Sequence, residues 1–128
     1  MNPQNLLLDT HVLLWWLNEP ERLQTDARDA IADEGRLVFV SAASAWEVGI
    51  KMSVGKLRFT TDLEEMVANS RLEPLPVSLG HGFGVRDLPL LHRDPFDRIL
   101  VAQAQIEGLT LATRDPKIQQ YDVPVLMT

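Results

Sequence analysis

The chain has 128 residues and a mass of 14.4 kDa, the size of one domain with room for a real core, and we read residues 1–128 as that one domain. Hydrophobic residues at 45% and charged residues at 23% exclude a disordered or low-complexity chain. Twelve Lys and Arg against eighteen Asp and Glu leave a formal charge of -6, which excludes a protein that coats nucleic acid or anionic membrane with its whole surface; the lack of cysteine excludes disulfides, thiolate zinc sites and a catalytic thiol, and fits the cytoplasm.

Met1 to Asn5 lacks the positive charge of a signal peptide, and the apolar stretch Leu6 to Leu17 is broken by Asp9 and His11, so no membrane segment is expected. Leu6 to Leu8 reads as a buried strand, with Asp9 at its C-terminal end, followed by a short helix over Val12 to Leu17. Gln24 to Asp33 is a polar helix stopped by Gly35, Leu37 to Val40 a strand, and Ser41 to Gly55 a helix. Thr61 and Glu64 form a capping-box signature that opens a helix to about Arg71. Leu75 to Val77 is expected as a strand and Leu79 to Leu88 as a helix or a loop. Asp94-Pro95 opens a helix that runs to Glu107 and stops at Gly108; Leu109 to Ala112 and Val123 to Leu126 are the last strands. Strands alternating with helices imply an α/β fold with a mainly parallel sheet covered on both faces.

Sites in such sheets form at the carboxyl ends of strands, near the point where strand order reverses. Asp9 and Asp115 both follow strand candidates, although each also suits a cap or a turn. Glu47 falls mid-helix with Ala43 and Ile50 as neighbours on its face, and Asp97 shares a face with Leu100, Val101 and Ala104. Carboxylates gathered in one partly buried place repel each other unless a cation joins them. With no cysteine and only three histidines, the ligand set is oxygen-rich, which favours Mg²⁺ or Mn²⁺, while His11 and His92 leave a mixed site open. Such an ion points to phosphodiester chemistry. Arg93, Arg98 and Arg114 lie close to these acids in sequence and would hold a polyanion, or else form solvated surface and ion pairs. Trp15, Trp16 and Trp46 are read as core or interface. Gly49 to Lys56 fails as a P-loop, and Gly80, Gly82 and Gly84 fail as a dinucleotide fingerprint.

Four stretches, Leu7-Leu8-Asp9-Thr10-His11, Ser41 to Glu47, Asp94-Pro95-Phe96-Asp97-Arg98 and Ala112-Thr113-Arg114-Asp115, together make the sequence resemble PIN-domain proteins, in particular the VapC-type toxins of toxin-antitoxin pairs. The resemblance runs from Asn5 to Val125. It implies a three-layer fold with a central parallel sheet of order 3-2-1-4-5 flanked by helices, and a Mg²⁺- or Mn²⁺-dependent ribonuclease site. Asp9, Glu47 and Asp97 match the core acids and Asp115 the more variable fourth one; Asp94 is an additional acid. Thr10, Ser41 and Thr113 are carried over as groups that orient ligand, water or phosphate, and the substrate-binding candidates are then Thr10 and Thr113 with Arg98 and Arg114. The resemblance also implies homodimers and a VapB-like antitoxin that blocks the site, for which the charge of -6 suggests a basic side chain. Two other readings stay open: a non-catalytic PIN-like binding module for RNA or protein, and a haloacid-dehalogenase-like phosphatase, against which His11 stands where a second Asp is needed.

Overall fold

In the computed structural model, which describes residues 4–59 and 61–128, Leu6–Leu8 forms strand β1 at the centre of a five-stranded sheet. The leaderless reading of Met1 to Asn5 begins in residues 1–3, outside the described residues. All three β1 leucines are buried, because β1 has a strand on either side and helices on both faces. It pairs in parallel with β2 (Val38–Ser41) and β4 (Thr110–Thr113); β3 (Glu73–Leu75) and β5 (Val125–Met127) are the edges, giving the order β3-β2-β1-β4-β5.

The two-residue period of the strands sorts the core into two layers. Leu6, Leu8, Val38, Val40 and Ala112 face α1 (Thr10–Asn18), α2 (Thr25–Ala32) and α4 (Leu63–Asn69), through Val12, Leu13, Ile31 and Val67. Leu7 and Leu111 face α6 (Pro95–Glu107), through Leu100, Val101 and Ala104. The helix α5 (Leu79–Gly84) packs on α6, and α3 (Ala42–Ser53) touches both α1 and α6. That bridging position of α3 brings residues from three helices to one end of the sheet. Among the described residues, no helix is long and apolar enough to cross a membrane.

Several boundaries differ from the sequence expectation for local reasons. α1 starts two residues early because Asp9 is its N-cap, with Oδ1 accepting from the Val12 N–H at 2.8 Å. α4 is capped by Asp62, whose Oδ1 accepts from the Glu64 N–H at 2.8 Å, so the Thr61 capping box does not form. β3 lies two residues before the expected Leu75 to Val77 and contains Pro74, which an edge strand tolerates because one of its sides needs no donors. Leu79 to Leu88 is resolved as α5 with a 3-10 turn over Val85–Asp87. α6 has the expected bounds, with Asp94 capping the Phe96 N–H and Gly108 ending it in the left-handed region at φ 68°.

Candidate active site

The chain fills the sheet outward from β1 to β2 and β3, then crosses back to lay β4 on the other side of β1. Strand order therefore reverses between β1 and β4, and their carboxyl ends diverge into a crevice. Asp9 follows β1 directly; Thr113 ends β4, with Asp115 two residues on. Glu47 enters from α3, and Asp97 from the first turn of α6.

Asp9 is 4% exposed, and its carboxylate is held from two sides: Val12 N–H donates to Oδ1 and the Thr113 hydroxyl to Oδ2. Burial raises its pKa above the ordinary carboxylate value against both hydrogen bonds, with Glu47 adding to the rise. Glu47 Oε1 accepts from the buried Thr10 hydroxyl at 2.7 Å, while Oε2 pairs with Lys51 Nζ at 3.0 Å. The Thr10 oxygen also lies 3.0 Å from Ser44 Oγ. Asp97 is pushed up to about 7 by burial and by the charges of Asp94, Asp9 and Glu47, with His92 opposing. These acids are thus close enough to resist ionising together. Asp115 goes the other way: partial burial works to raise its pKa, yet hydrogen bonds from the Lys117 N–H and the His92 ring hold it below the ordinary value.

Two acids are joined by a residue that sequence reasoning left undecided. His92 Nε2 lies 3.0 Å from Asp97 Oδ2 and 2.7 Å from Asp115 Oδ2, so one nitrogen spans acids from α6 and from the loop after β4. Those three side chains each offer a ligand atom within 4.8 Å of the others. The sequence signal was present as His92 two residues before Asp94-Pro95, but its reach to Asp115 is tertiary. His11 is exposed and tilted against Trp15, with ring centroids 6.0 Å apart. Asp94 caps α6 through Oδ1.

Two of the arginines expected to hold substrate, Arg98 and Arg114, make hydrogen bonds within the chain. Arg98 Nη1 donates to the Pro89 carbonyl at 2.9 Å and the Tyr121 hydroxyl at 3.1 Å, and Nη2 to the Val85 and Leu88 carbonyls at 3.2 and 3.4 Å. It ties the segment before α6 to the body of the protein. Arg114 stacks over Trp15 at 4.2 Å and donates to the carbonyls of Thr128 and Arg22. Thr10 and Thr113 lie buried behind the acids and orient carboxylates, as Ser41 caps α3 through the Ala43 N–H. Arg93 remains exposed on the loop before α6.

One expectation needs correction. The helix face of Glu47 is not a continuous apolar stripe, since Ile50 is 41% exposed, and the carboxylate has an i,i+4 partner in Lys51 that the apolar neighbours obscured. Of the tryptophans read as core or interface, Trp15 and Trp16 pack on the core, while Trp46 is 66% exposed and packed edge-on against Phe96 at 5.1 Å, which leaves it outside the core.

The family model described as PIN domain matches residues 6–124. Ribonuclease VapC22 of Mycobacterium tuberculosis is 30% identical to this chain, with 93% of each covered. Among solved structures, VapBC2 from Rickettsia felis, bound to a DNA fragment from their promoter, superposes with a TM-score of 0.69 at 16% identity, covering 95% of this chain and 97% of that one. A toxin-antitoxin complex from Klebsiella pneumoniae gives a TM-score of 0.64 at 21% identity, covering 96% of this chain and 97% of that one. These structures share the three-layer architecture of the sheet and helices described above. The matched span opens on β1 and closes just before β5, taking in every acid of the crevice, and on that match the chain belongs to the PIN domain family.

Proposed function

We propose that the protein is a metal-dependent endoribonuclease of the VapC toxin type, folded as one domain over residues 1–128, which hydrolyses RNA phosphodiester bonds and is silenced by a VapB-like antitoxin. The observation that carries this reading is the convergence of Asp9, Glu47 and Asp97 at the strand-order switch, where burial first and the neighbouring acids second push Asp97 up to about 7. A structural cluster has no use for carboxylates that disfavour each other's charge; a cation-binding site does. The similarity to Ribonuclease VapC22 directs that site to RNA, and the similarity to toxin-antitoxin complexes supports a protein inhibitor. Homodimerisation and a cytoplasmic location complete the reading.

The donor set fits a hard divalent ion: Asp9, Glu47, Asp97 and Asp115 offer carboxylate oxygens, suited to Mg²⁺ or Mn²⁺. When bound, such an ion supplies Lewis acidity to the scissile phosphate and its attacking water. The chain's own groups prepare the place. Thr113 and the Val12 N–H hold the two oxygens of Asp9, Thr10 and Lys51 hold those of Glu47, and the Asp115 carboxyl stays ionised at neutral pH. The cleft at the end of the sheet suits unpaired RNA, whose splayed nucleotides enter where a duplex does not.

The test is cleavage of a panel of structured RNAs by purified, antitoxin-free protein in Mg²⁺, Mn²⁺ or EDTA, with Asp9→Asn as the contamination control. Cutting that requires both metal and Asp9 supports the reading. Absence of cutting by well-folded protein across the panel favours a narrow RNA target or a binding module.

A further inference from the structure

His92 is the crevice residue whose chemistry the acids do not settle by themselves. Its Nε2 meets both Asp97 Oδ2 and Asp115 Oδ2, and its Nδ1 faces a third partner, the Asp94 backbone N–H, at 3.2 Å. A backbone N–H can only donate, so Nδ1 must accept and carries no proton. In a neutral imidazole the proton then sits on Nε2, because the hydrogen bond made by one ring nitrogen sets the state of the other. Ligation of a metal by Nε2 would require the proton to move to Nδ1, where it would point at the Asp94 N–H. Asp94 is itself fixed as the N-cap of α6, and the His92 backbone N–H donates to the Tyr121 hydroxyl at 2.9 Å, so the ring is held from both sides.

We propose that His92 is a positioning residue: with Nδ1 held by the Asp94 N–H, its Nε2 hydrogen-bonds Asp115 Oδ2 at 2.7 Å and lies 3.0 Å from Asp97 Oδ2, and so sets the spacing at which these two acids meet a divalent ion, without being a ligand. The inference rests on the reading of the acids as a metal site. Its consequence is that a histidine among the acids does not turn the site toward softer metals, and that Asp115, the acid of the site that follows β4, is yoked to α6 through the His92 ring. Outer partners that orient ligands typically carry about 10- to 100-fold in metal affinity.

Two substitutions separate the ring's halves. His92→Asn keeps an oxygen near the Nδ1 position for the Asp94 N–H and loses the donor to the acids; His92→Gln keeps an amide N–H near the Nε2 position. Mn²⁺ affinity is read by electron paramagnetic resonance, and ring nitrogens by long-range ¹H–¹⁵N NMR of the full chain without metal and with saturating Mg²⁺. The expected results are a protonated Nε2 in both NMR states, Mn²⁺ affinity about 10- to 100-fold weaker in His92→Asn, and most of it restored in His92→Gln. A proton on Nδ1, a Nε2 that loses its proton on Mg²⁺ saturation, or unchanged Mn²⁺ affinity in His92→Asn overturns the proposal. Asp97→Asn is run alongside: if it abolishes Mn²⁺ binding while His92→Asn does not weaken it, only the role of His92 falls. If the parent binds no Mn²⁺, the metal-site reading itself falls and takes this inference with it.

Discussion

The Thr113 hydroxyl donates to Oδ2 of Asp9 across 104 positions of sequence, and its oxygen accepts from the Asp115 N–H at 3.0 Å. A single fully buried hydroxyl at the end of β4 therefore orients the acid of β1 and the backbone of the loop that carries the fourth acid. Thr113→Val, nearly the same shape, removes both bonds. It should cost about 1–3 kcal/mol of stability and lower metal-dependent cleavage by about 10-fold or more, whereas Thr113→Ser retains the hydroxyl and most of the activity. Urea unfolding and single-turnover cleavage check the pair; a Val variant as active as the parent would show that Asp9 needs no such support.

Asp97 should make the metal-free protein less stable as pH rises. Its carboxyl is pushed up to about 7, while the unfolded chain releases the same proton near pH ~4. Between those values the folded state binds more protons than the unfolded one, so stability falls with rising pH across the window and levels off above it. In EDTA at about pH 8, Asp97→Asn should be more stable than the parent by on the order of 1–3 kcal/mol, after allowance for solvent screening, and the gap should close toward pH ~4. Denaturant titrations at the two pH values measure it. A variant less stable at the higher pH would mean that the Asp97 carboxylate holds structure.

Mg²⁺ or Mn²⁺ should reverse that penalty. At about 100 times its Kd an ion that binds only the folded state adds ~2.7 kcal/mol, a rise of several degrees in Tm, and the gain should shrink below pH ~7 as protons compete at Asp97. Thermal unfolding with each ion and with EDTA is the measurement, and a Tm that neither ion moves would count against a cation site.

Arg98 spreads its guanidinium over three backbone carbonyls and Tyr121, a geometry the single ammonium of lysine does not reproduce. Arg98→Lys should therefore lower stability by about 2 kcal/mol while the salt dependence of RNA affinity stays as in the parent. A reduced salt slope with unchanged stability would return Arg98 to the substrate.

Much of this architecture was legible because local signals agreed with the tertiary outcome. Asp94-Pro95 and Gly108 bounded α6 correctly, and the unbroken leucines of β1 announced a strand buried on both faces. Adjacent residues of equal aptitude were not separable in this way: Thr61 and Asp62 both make good caps, and packing selected the second. The position of Pro74 inside β3 was not legible, because a proline's cost depends on whether the strand is an edge, which is a property of the sheet. The strand order came from resemblance alone, since periodicity carries no information on which strands are neighbours. At the site, Asp97 stood out as charge on an apolar helix face and Asp9 and Asp115 as acids after strands, but the carbonyl contacts of Arg98 and Arg114 did not, because a guanidinium reaching for carbonyls and one reaching for phosphate have the same sequence neighbourhood. His92 was undecidable for a related reason: its two acids lie five and twenty-three residues away, on different elements.

The crevice draws on β1, α3, α6 and the loop after β4, so its acids are spread from residue 9 to residue 115 of the 128. During synthesis a chain that has not yet emerged past Asp115 lacks the last of them, and one that has not laid β4 against β1 has no crevice in which to gather the rest. On the proposed reading, cutting competence thus waits for Asp115 to emerge and for β4 to close against β1, which leaves the ribosome that makes the protein unexposed to it until both have happened.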